Sequence, residues 1–434
     1  MPALITHRLF GEESIERLPE GIITNEDERA AFLLANQGPD PFFFRFRTPN
    51  MGTCMELARV MHRSRMSRQF AALREGVSRL QPSDSGVGRA WTLGMLSHYV
   101  LDRNAHPFVY AQQWGIQEAD PDLTGAGSQV HAVIESDLDL LMLQLKRNGA
   151  TIAEFPPVGE VSSNPRIDKV AGALVSFMAK SVYGMDVAAN EYGGAVADMQ
   201  LVYRLIEPAG SMRSDVLGRL ESLVSDYSLL QSLAHRVTTE TPSACGNLEH
   251  KPWRNPFSET ESTEAFPDVF DRALDDYAQA ACRFIETGDM GAVTEHVNYS
   301  GRPLDANEEF DREEQRLRKP GRALCRRWAP PNSGPPQTPP TANAGPSANG
   351  RAHVISPRSG RDLPPCNGQA NHDHLHVFRS KIPARNPSPW LQIPGTKRPG
   401  YFTSMSSYSL VPRPIFSPCS IMERQLVSGC VMLR

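Results

Sequence analysis

The sequence lacks several features that mark specialised classes of protein. Seven cysteines are scattered through 434 residues without a CxxC pair, which argues against a disulfide scaffold and against a thiolate metal site. No run approaches the roughly 18 apolar residues of a membrane-spanning helix. Residues 1–20 contain no apolar core behind basic residues, as a signal peptide would. These absences predict a cytoplasmic protein and leave secretion open.

Strand patterns and internal repeats are missing as well. Residues 1–305 instead show helical periodicity, with a capping-box pattern of Thr24 and Asp27 before the first helix. The predicted helices cover about 29–37, 52–74, 87–104, 127–147, 167–206 (broken near Gly193 and Gly194), 212–236 and 264–287. The sequence therefore predicts an all-α fold, a helical bundle.

Composition changes sharply near residue 306. Residues 321–434 hold half of the 36 prolines and 14 Lys and Arg but only three acidic residues, so residues 1–320 carry a charge of −15. We expect residues 306–434 to be a disordered, basic, low-complexity tail, because such a chain cannot bury enough apolar area to offset its entropy. This composition fits a basic interaction tail and, equally well, translation of a GC-rich gene in the wrong frame.

Two apolar stretches carry charge at helical spacing. His98, Asp102 and His106 follow one another at intervals of four residues, and His131 and Glu135 repeat the interval. Residues four apart lie on one face of a helix. Imidazole and carboxylate together are the ligand set that zinc and related ions take at chemically open sites. A buried His–Asp ion pair is the alternative for one helix, but the repetition on a second helix favours a metal site.

The order of these motifs resembles a known family. His7, GPDPFF at residues 38–43, His62, HYVLDRNAHP at 98–107 and HAVIE at 131–135 together are similar to the bacterial zinc-dependent phospholipases C, which belong to one superfamily with single-strand zinc nucleases. The resemblance covers residues 1–305 and implies an all-helical domain with an internal site for two to three zinc ions.

The resemblance assigns eight residues as zinc ligands. For the first ion it implies Asp40, His62, His98 and Asp102. For the second it implies His106, His131 and Glu135. For the third it implies His7 with the bridging Asp102, beside the amine and carbonyl of the amino-terminal residue.

Three features depart from the family. Secreted members begin with a tryptophan that binds metal through its backbone, whereas this chain begins with Met1 and Pro2, so the third zinc is the least secure. His106 follows Asp102 more closely than in the best-known secreted members. The lipid-binding β-sandwich of the toxin members has no counterpart.

The resemblance implies a phosphodiesterase that cleaves a phospholipid through zinc-activated water. Asp40 is the candidate general base, and a plain ligand is its alternative role. Phe42, Phe43 and Phe44 fit either the cleft mouth or the core, with the core favoured. A single-strand zinc nuclease and a non-catalytic, metal-stabilised protein are alternative functions. The charge of −15 argues against stable nucleic-acid binding, while peripheral contact with a membrane fits the implied substrate.

The tail provides the first test. Deleting residues 321–434 is expected to leave the melting temperature, the metal content and the turnover of small soluble esters unchanged, because the predicted ligand set is complete at Glu135. Activity on anionic vesicles should fall modestly, since 14 basic residues are removed. Thermal unfolding and elemental analysis of both chains check this; a truncated chain that is insoluble or loses zinc would show that the tail packs on the bundle.

Overall fold

The computed structural model describes residues 3–221, 228–305 and 308–309. Nearly all of the tail predicted for residues 306–434 lies outside the described residues. Within those ranges, no helix combines the length and the apolar composition needed to cross a membrane.

The predicted all-α fold is confirmed. The described residues form thirteen α-helices: α1 (Leu4–Ile15), α2 (Glu26–Ala35), α3 (Met51–Arg63), α4 (Met66–Ser78), α5 (Pro82–Ala119), α6 (Gly127–Lys146), α7 (Pro157–Glu160), α8 (Pro165–Tyr183), α9 (Asn190–Ile206), α10 (Met212–Glu221), α11 (Leu229–Ser232), α12 (Phe266–Glu286) and α13 (Met290–Thr294). Two 3₁₀ turns cover Asp40–Phe44 and Pro121–Leu123. The strands β1 (Trp253–Arg254) and β2 (Glu261–Ser262) form one antiparallel pair.

Helix α5 is the longest and forms the centre of the bundle, where it packs against α1, α2, α4, α6, α8 and α12. The sequence predicts a helix that ends near residue 104, but α5 continues through Pro107 to Ala119. Proline lacks the N–H that closes a helical turn yet keeps a helical φ. Pro107 is buried, so tertiary packing maintains the helix there at the cost of one hydrogen bond.

Two other predicted helices are divided differently in the structure. The helix predicted at 52–74 is two helices, α3 and α4, separated by Ser64 and by Arg65 in the left-handed conformation. The buried Arg65 guanidinium stabilises this corner by donating to the carbonyl of Val182. The predicted break near Gly193 is also wrong, because α8 ends at Tyr183, before the left-handed Gly184 (φ 68°), and α9 continues past residue 193.

The start of α2 differs from the predicted capping box by one residue. Asn25, and not Thr24, is the cap, and its side chain accepts a hydrogen bond from the amide of Glu28. The Glu28 carboxylate in turn accepts from the amide and hydroxyl of Thr24. Asparagine and threonine both cap helices, so the local pattern did not discriminate between adjacent residues.

Aromatic contacts hold the amino-terminal helices in the bundle. Phe10 of α1 meets Phe270 of α12 edge to face, with ring centroids 5.2 Å apart. Phe32 of α2 meets Tyr277 of α12 at 6.3 Å. All four rings are buried, and aromatic pairs in this geometry stabilise beyond their buried area. Helices α1 and α2 are thus fixed beside α5.

Gly94 allows the closest helix contact in this region, and its replacement should destabilise the bundle. A Cβ atom at Gly94 would lie 2.2 Å from the Phe32 carbonyl oxygen on α2. Gly94→Ala is expected to cost about 1–3 kcal/mol of unfolding free energy, because α2 and α5 must separate. Gly115→Ala in the same helix meets nothing within 4 Å and should stabilise by about 0.5–1 kcal/mol. Urea unfolding of both variants measures these changes in unfolding free energy. Equal changes in the two variants would contradict the expected close contact at Gly94.

Candidate metal centre

Five elements bring the eight predicted ligands into one region. The residues lie on α1 (His7), the first 3₁₀ turn (Asp40), α3 (His62), α5 (His98, Asp102, His106) and α6 (His131, Glu135). Seven of these side chains are buried, while His62, at the end of its helix, keeps 17% of its side-chain surface exposed. Their donor atoms form three groups, and the atoms of each group lie within 4.8 Å of one another.

One group joins α5 to α6. His131 Nε2 lies 3.2 Å from Glu135 Oε1, four residues later on the same helix. His106 Nε2 of α5 lies 3.5 Å from the same oxygen. The structure thus brings together these three residues, which the resemblance assigns to one ion.

Asp102 lies between the other two groups. Its Oδ2 is 3.4 Å from His98 Nε2 and 4.0 Å from His62 Nε2. These three residues form the second group, and Asp40 borders it, with Oδ1 3.1 Å from His62 Nε2. Its Oδ1 faces His7 on the other side, so the carboxylate of Asp102 has imidazoles on both sides, as a bridging ligand would.

His7 enters the third group together with Asp40 and His98. Its ring stacks on His98 with centroids 4.1 Å apart, and its Nε2 lies 3.1 Å from Asp102 Oδ1. The contact with Asp102 is the one that the resemblance implies for a third ion. The proximity to Asp40 and His98 is an addition that only the structure reveals.

Four of the five histidines have their Nδ1 atom bound to an oxygen. The oxygens are the carbonyls of Asn36 for His98 (2.9 Å), Ala58 for His62 (2.7 Å) and Tyr299 for His106 (2.7 Å), and Oε1 of Gln113 for His131 (2.9 Å). An Nδ1–H that donates to an oxygen leaves Nε2 with its lone pair toward the carboxylates. This outer-shell bond is characteristic of metal-ligating histidines.

The spacing of the donor atoms tests whether zinc fits. Ligands about 2.0 Å from a tetrahedral zinc ion lie about 3.3 Å apart, and the distances within the centre cluster around that value. His98 Nε2 and Asp40 Oδ1 are buried and make no hydrogen bond within the protein. Buried polar atoms without a partner are costly. These residues fit a divalent cation.

The electrostatics favour a cation in the same way. Burial raises the pKa of Asp102, but the charges of His106 and His98 outweigh it and hold the pKa well below its ordinary value. Burial lowers the pKa of His131, which favours the neutral form that ligates metal. The pKa of His106 rises to about 9, because the charges of Asp102 and Glu135 exceed the effect of burial. The centre therefore attracts positive charge.

The three phenylalanines after Asp40 divide between two roles. Phe42 and Phe44 are buried in the core, as the sequence favours. Phe43 is half-buried, and its ring lies 5.6 Å from that of His62. One of the three rings thus borders the metal centre while the other two anchor the 3₁₀ turn.

Tyr299 supports the candidate metal centre, although no sequence motif indicated that role. Its carbonyl orients His106, its amide donates to the carbonyl of His62, and its ring packs on His62 and His98. A single tyrosine far from the ligand motifs carries no local pattern. Gln113, seven residues after His106 on the same helix face, is the one orienting residue whose spacing could have indicated its role.

Asp137 and Asp139 follow Glu135 on α6 and do not face solvent. Both are buried. Neither orients an imidazole of the metal centre among the contacts described; Asp139 instead binds the amides of Ile5 and Thr6. Both lie on α6 among the apolar residues of its inward face, where sequence spacing alone does not identify their partners.

Gly38 is required by the position of His98. Its φ is +55°, and a Cβ atom there would lie 2.2 Å from the imidazole ring. We expect Gly38→Ala to displace His98 and to lower the zinc content by about one ion per chain. Gly21→Ala is the matched control, since Gly21 also has a positive φ (+79°) but meets nothing within 4 Å. Elemental analysis of both purified variants measures the zinc per chain. An unchanged zinc content in Gly38→Ala would contradict the expectation.

The comparison with known families agrees with this geometry. The model of a family described as zinc dependent phospholipase C matches residues 6–181, about two-fifths of the chain. The matched stretch runs from α1 to the last turn of α8 and contains all eight candidate ligands. No curated protein and no solved structure matches the chain. The resemblance predicted from the sequence is confirmed over this stretch, because residues 6–181 match the zinc dependent phospholipase C family.

Proposed function

We propose that the protein is a metal-dependent phosphodiesterase that hydrolyses phospholipids to diacylglycerol and a phosphorylated head group. The family match supports this type of reaction. The observation that carries the proposal is the set of four imidazoles whose Nδ1 atoms are tied to oxygens while their Nε2 atoms surround buried carboxylates.

The proposed cofactor is two to three zinc ions. Asp40, His62, His98 and Asp102 would hold one ion. His106, His131 and Glu135 would hold another. His7, with Asp102, would hold the third. Zinc ions bound there would neutralise charge on a phosphodiester and lower the pKa of water to about 7.

Asp40 is the proposed general base. Its carboxylate lies at the start of the 3₁₀ turn, buried beside His62. Burial raises its pKa, but the imidazoles of His62 and His98 lower it below the ordinary value, so the group is ionised and able to accept a proton. Water attacks phosphorus and passes its proton to Asp40. The bond between phosphorus and the glycerol oxygen then breaks, the released oxygen takes up a proton from solvent water, and Asp40 returns its proton to solvent.

Exposed apolar side chains that follow Asp40 along the chain support contact with a lipid surface. Phe46 and Met51 come after the 3₁₀ turn and are 46% and 45% exposed. Exposed apolar groups of this size can enter the boundary between head groups and acyl chains. Peripheral contact with a membrane is therefore part of the proposal.

A single-strand nuclease is the second candidate, favoured by one feature. The rings of Tyr110, Trp114 and Phe257 lie within 6 Å of one another, centroid to centroid, and Tyr110 lies 5.1 Å from His131. Half-buried aromatic rings beside a metal centre can stack on bases. The charge of −15 on residues 1–320 would repel a polyanion, so the phospholipase is preferred. A non-catalytic centre that only stabilises the fold is the third candidate.

Asp40→Asn tests the mechanism. The variant should lose about 10²–10⁴-fold in hydrolysis of phosphatidylcholine vesicles, because the amide cannot accept the proton, while most of the zinc remains bound. Asp137→Asn, which also replaces a buried aspartate, is the control and should retain activity. Rates and zinc contents of the three proteins are compared. If Asp40→Asn loses an ion, Asp40 acts chiefly as a ligand and the assignment as base is unsupported.

The wild-type protein is assayed in parallel on phosphatidylcholine and on single-stranded DNA. Turnover of the lipid alone supports the phospholipase. Cleavage of DNA alone establishes the nuclease. A zinc-loaded protein that acts on neither substrate favours the non-catalytic alternative.

A further inference from the structure

Helix α1 has no cap of its own. Its N-cap residue is Ala3, which has no side-chain acceptor, and its first turn contains no acidic residue. The free amides of a first helical turn need acceptors when they are buried. Here the amides of Ile5 and Thr6 donate to the two carboxylate oxygens of Asp139 on α6, at 2.9 and 2.7 Å.

The Asp139 carboxylate is part of a buried chain of charges. Asp139 is fully buried, and its Oδ2 lies 3.0 Å from Nε2 of His235. Nδ1 of His235 lies 2.6 Å from Oε1 of Glu207, and the same oxygen accepts a hydrogen bond from the backbone amide of His235. An imidazole between two carboxylates donates from both nitrogens, which makes it an imidazolium.

The charge of His235 agrees with this geometry. Burial lowers the pKa of its imidazole, but the charge of Glu207 and the bonds to both carboxylates raise it to about 10. The imidazolium balances Asp139 in a region that water does not reach. A carboxylate without such a partner would be costly to bury.

His7 depends on its helix more than the other histidines do. It directly follows Thr6, and its Nδ1 makes no hydrogen bond within the protein. The four other histidines of the centre each have an acceptor for that atom. Among the described contacts, the position of His7 against Asp102 and His98 therefore comes from the packing and capping of α1.

We propose that Asp139, His235 and Glu207 are positioning residues that hold α1 so that His7 binds metal. This inference rests on the proposed metal centre. Glu207 and His235 lie outside the matched stretch of residues 6–181, so the carboxy-terminal half of the bundle would determine how firmly the ion at His7 is held. The effect acts through the helix, since none of the three residues belongs to the groups of candidate ligands.

The chain contains a matched control for this cap. Glu309 is also buried, and its carboxylate also binds two first-turn amides of a helix, those of Met66 and Ser67 on α4. His296 lies beside it, with Nδ1 3.6 Å from Oε1. Helix α4 carries none of the eight candidate ligands. Neutralising Glu309 thus removes a carboxylate cap without loosening a helix that holds a ligand.

The experiment measures zinc per chain by elemental analysis in the full-length wild type, His7→Ala, Asp139→Asn, the double variant and Glu309→Gln. We expect His7→Ala and Asp139→Asn each to lose about one ion, and the double variant to lose no more than either. Glu309→Gln should melt earlier yet keep the wild-type zinc content. The visible spectrum after cobalt exchange should change alike in His7→Ala and Asp139→Asn.

Retention of the full zinc content by Asp139→Asn would overturn the inference, as would loss of the same ion by Glu309→Gln. A wild type with less than one zinc per chain would overturn the proposed function itself, which separates the two failures. If Asp139→Asn does not fold, Glu207→Gln replaces it, because Glu207 is only half-buried. It should weaken binding of one ion at least tenfold, and unchanged binding would overturn the inference.

Discussion

The candidate metal centre depends on the hydrogen bonds that four histidines donate from Nδ1 to oxygens held by the fold. An imidazole on a helix can turn about its bond to Cβ and can place either nitrogen toward a ligand. Once Nδ1 is bound to a carbonyl, only Nε2 remains to face the carboxylates. The acceptors come from the end of α2, from α3, from α5 and from the segment after α13. The centre therefore requires most of the bundle, although its ligands occupy a short part of the chain.

The same arrangement has an electrostatic consequence. Asp40, Asp102 and Glu135 bury carboxylates close together, and each buried charge costs several kcal/mol unless an opposite charge compensates it. Neighbouring imidazoles compensate in part, but a neutral imidazole that ligates metal carries no charge. A divalent cation would complete the balance, and metal binding would then be coupled to folding. Asp139 is not one of the candidate ligands. Its buried charge is balanced by the imidazolium of His235 instead.

The long helix α5 explains how distant residues meet. It supplies three ligands from one face, and Gln113 from further along the same helix, while α1, α2, α6 and α12 pack around it. The close approach of α2 at Gly94 and the approach of the chain at Gly38 bring Asn36 and Asp40 beside His98. Residues beyond the family match, such as Tyr299 and His235, complete this support from the carboxy-terminal side.

Local sequence was sufficient for the helical class of the fold and for the spacing of His98, Asp102, His106, His131 and Glu135, because four residues make about one helical turn. Helix ends were less predictable: packing carried α5 through Pro107, and a left-handed Arg65 divided one predicted helix in two. The oxygens that orient the imidazoles could not be predicted, since most are backbone carbonyls, which every residue possesses. Their selection depends on which turns and helix ends approach each histidine, and only tertiary packing decided that. The sequence by itself determined the ligand types and their periodicity, and the tertiary structure decided which nitrogen of each histidine faces the metal centre.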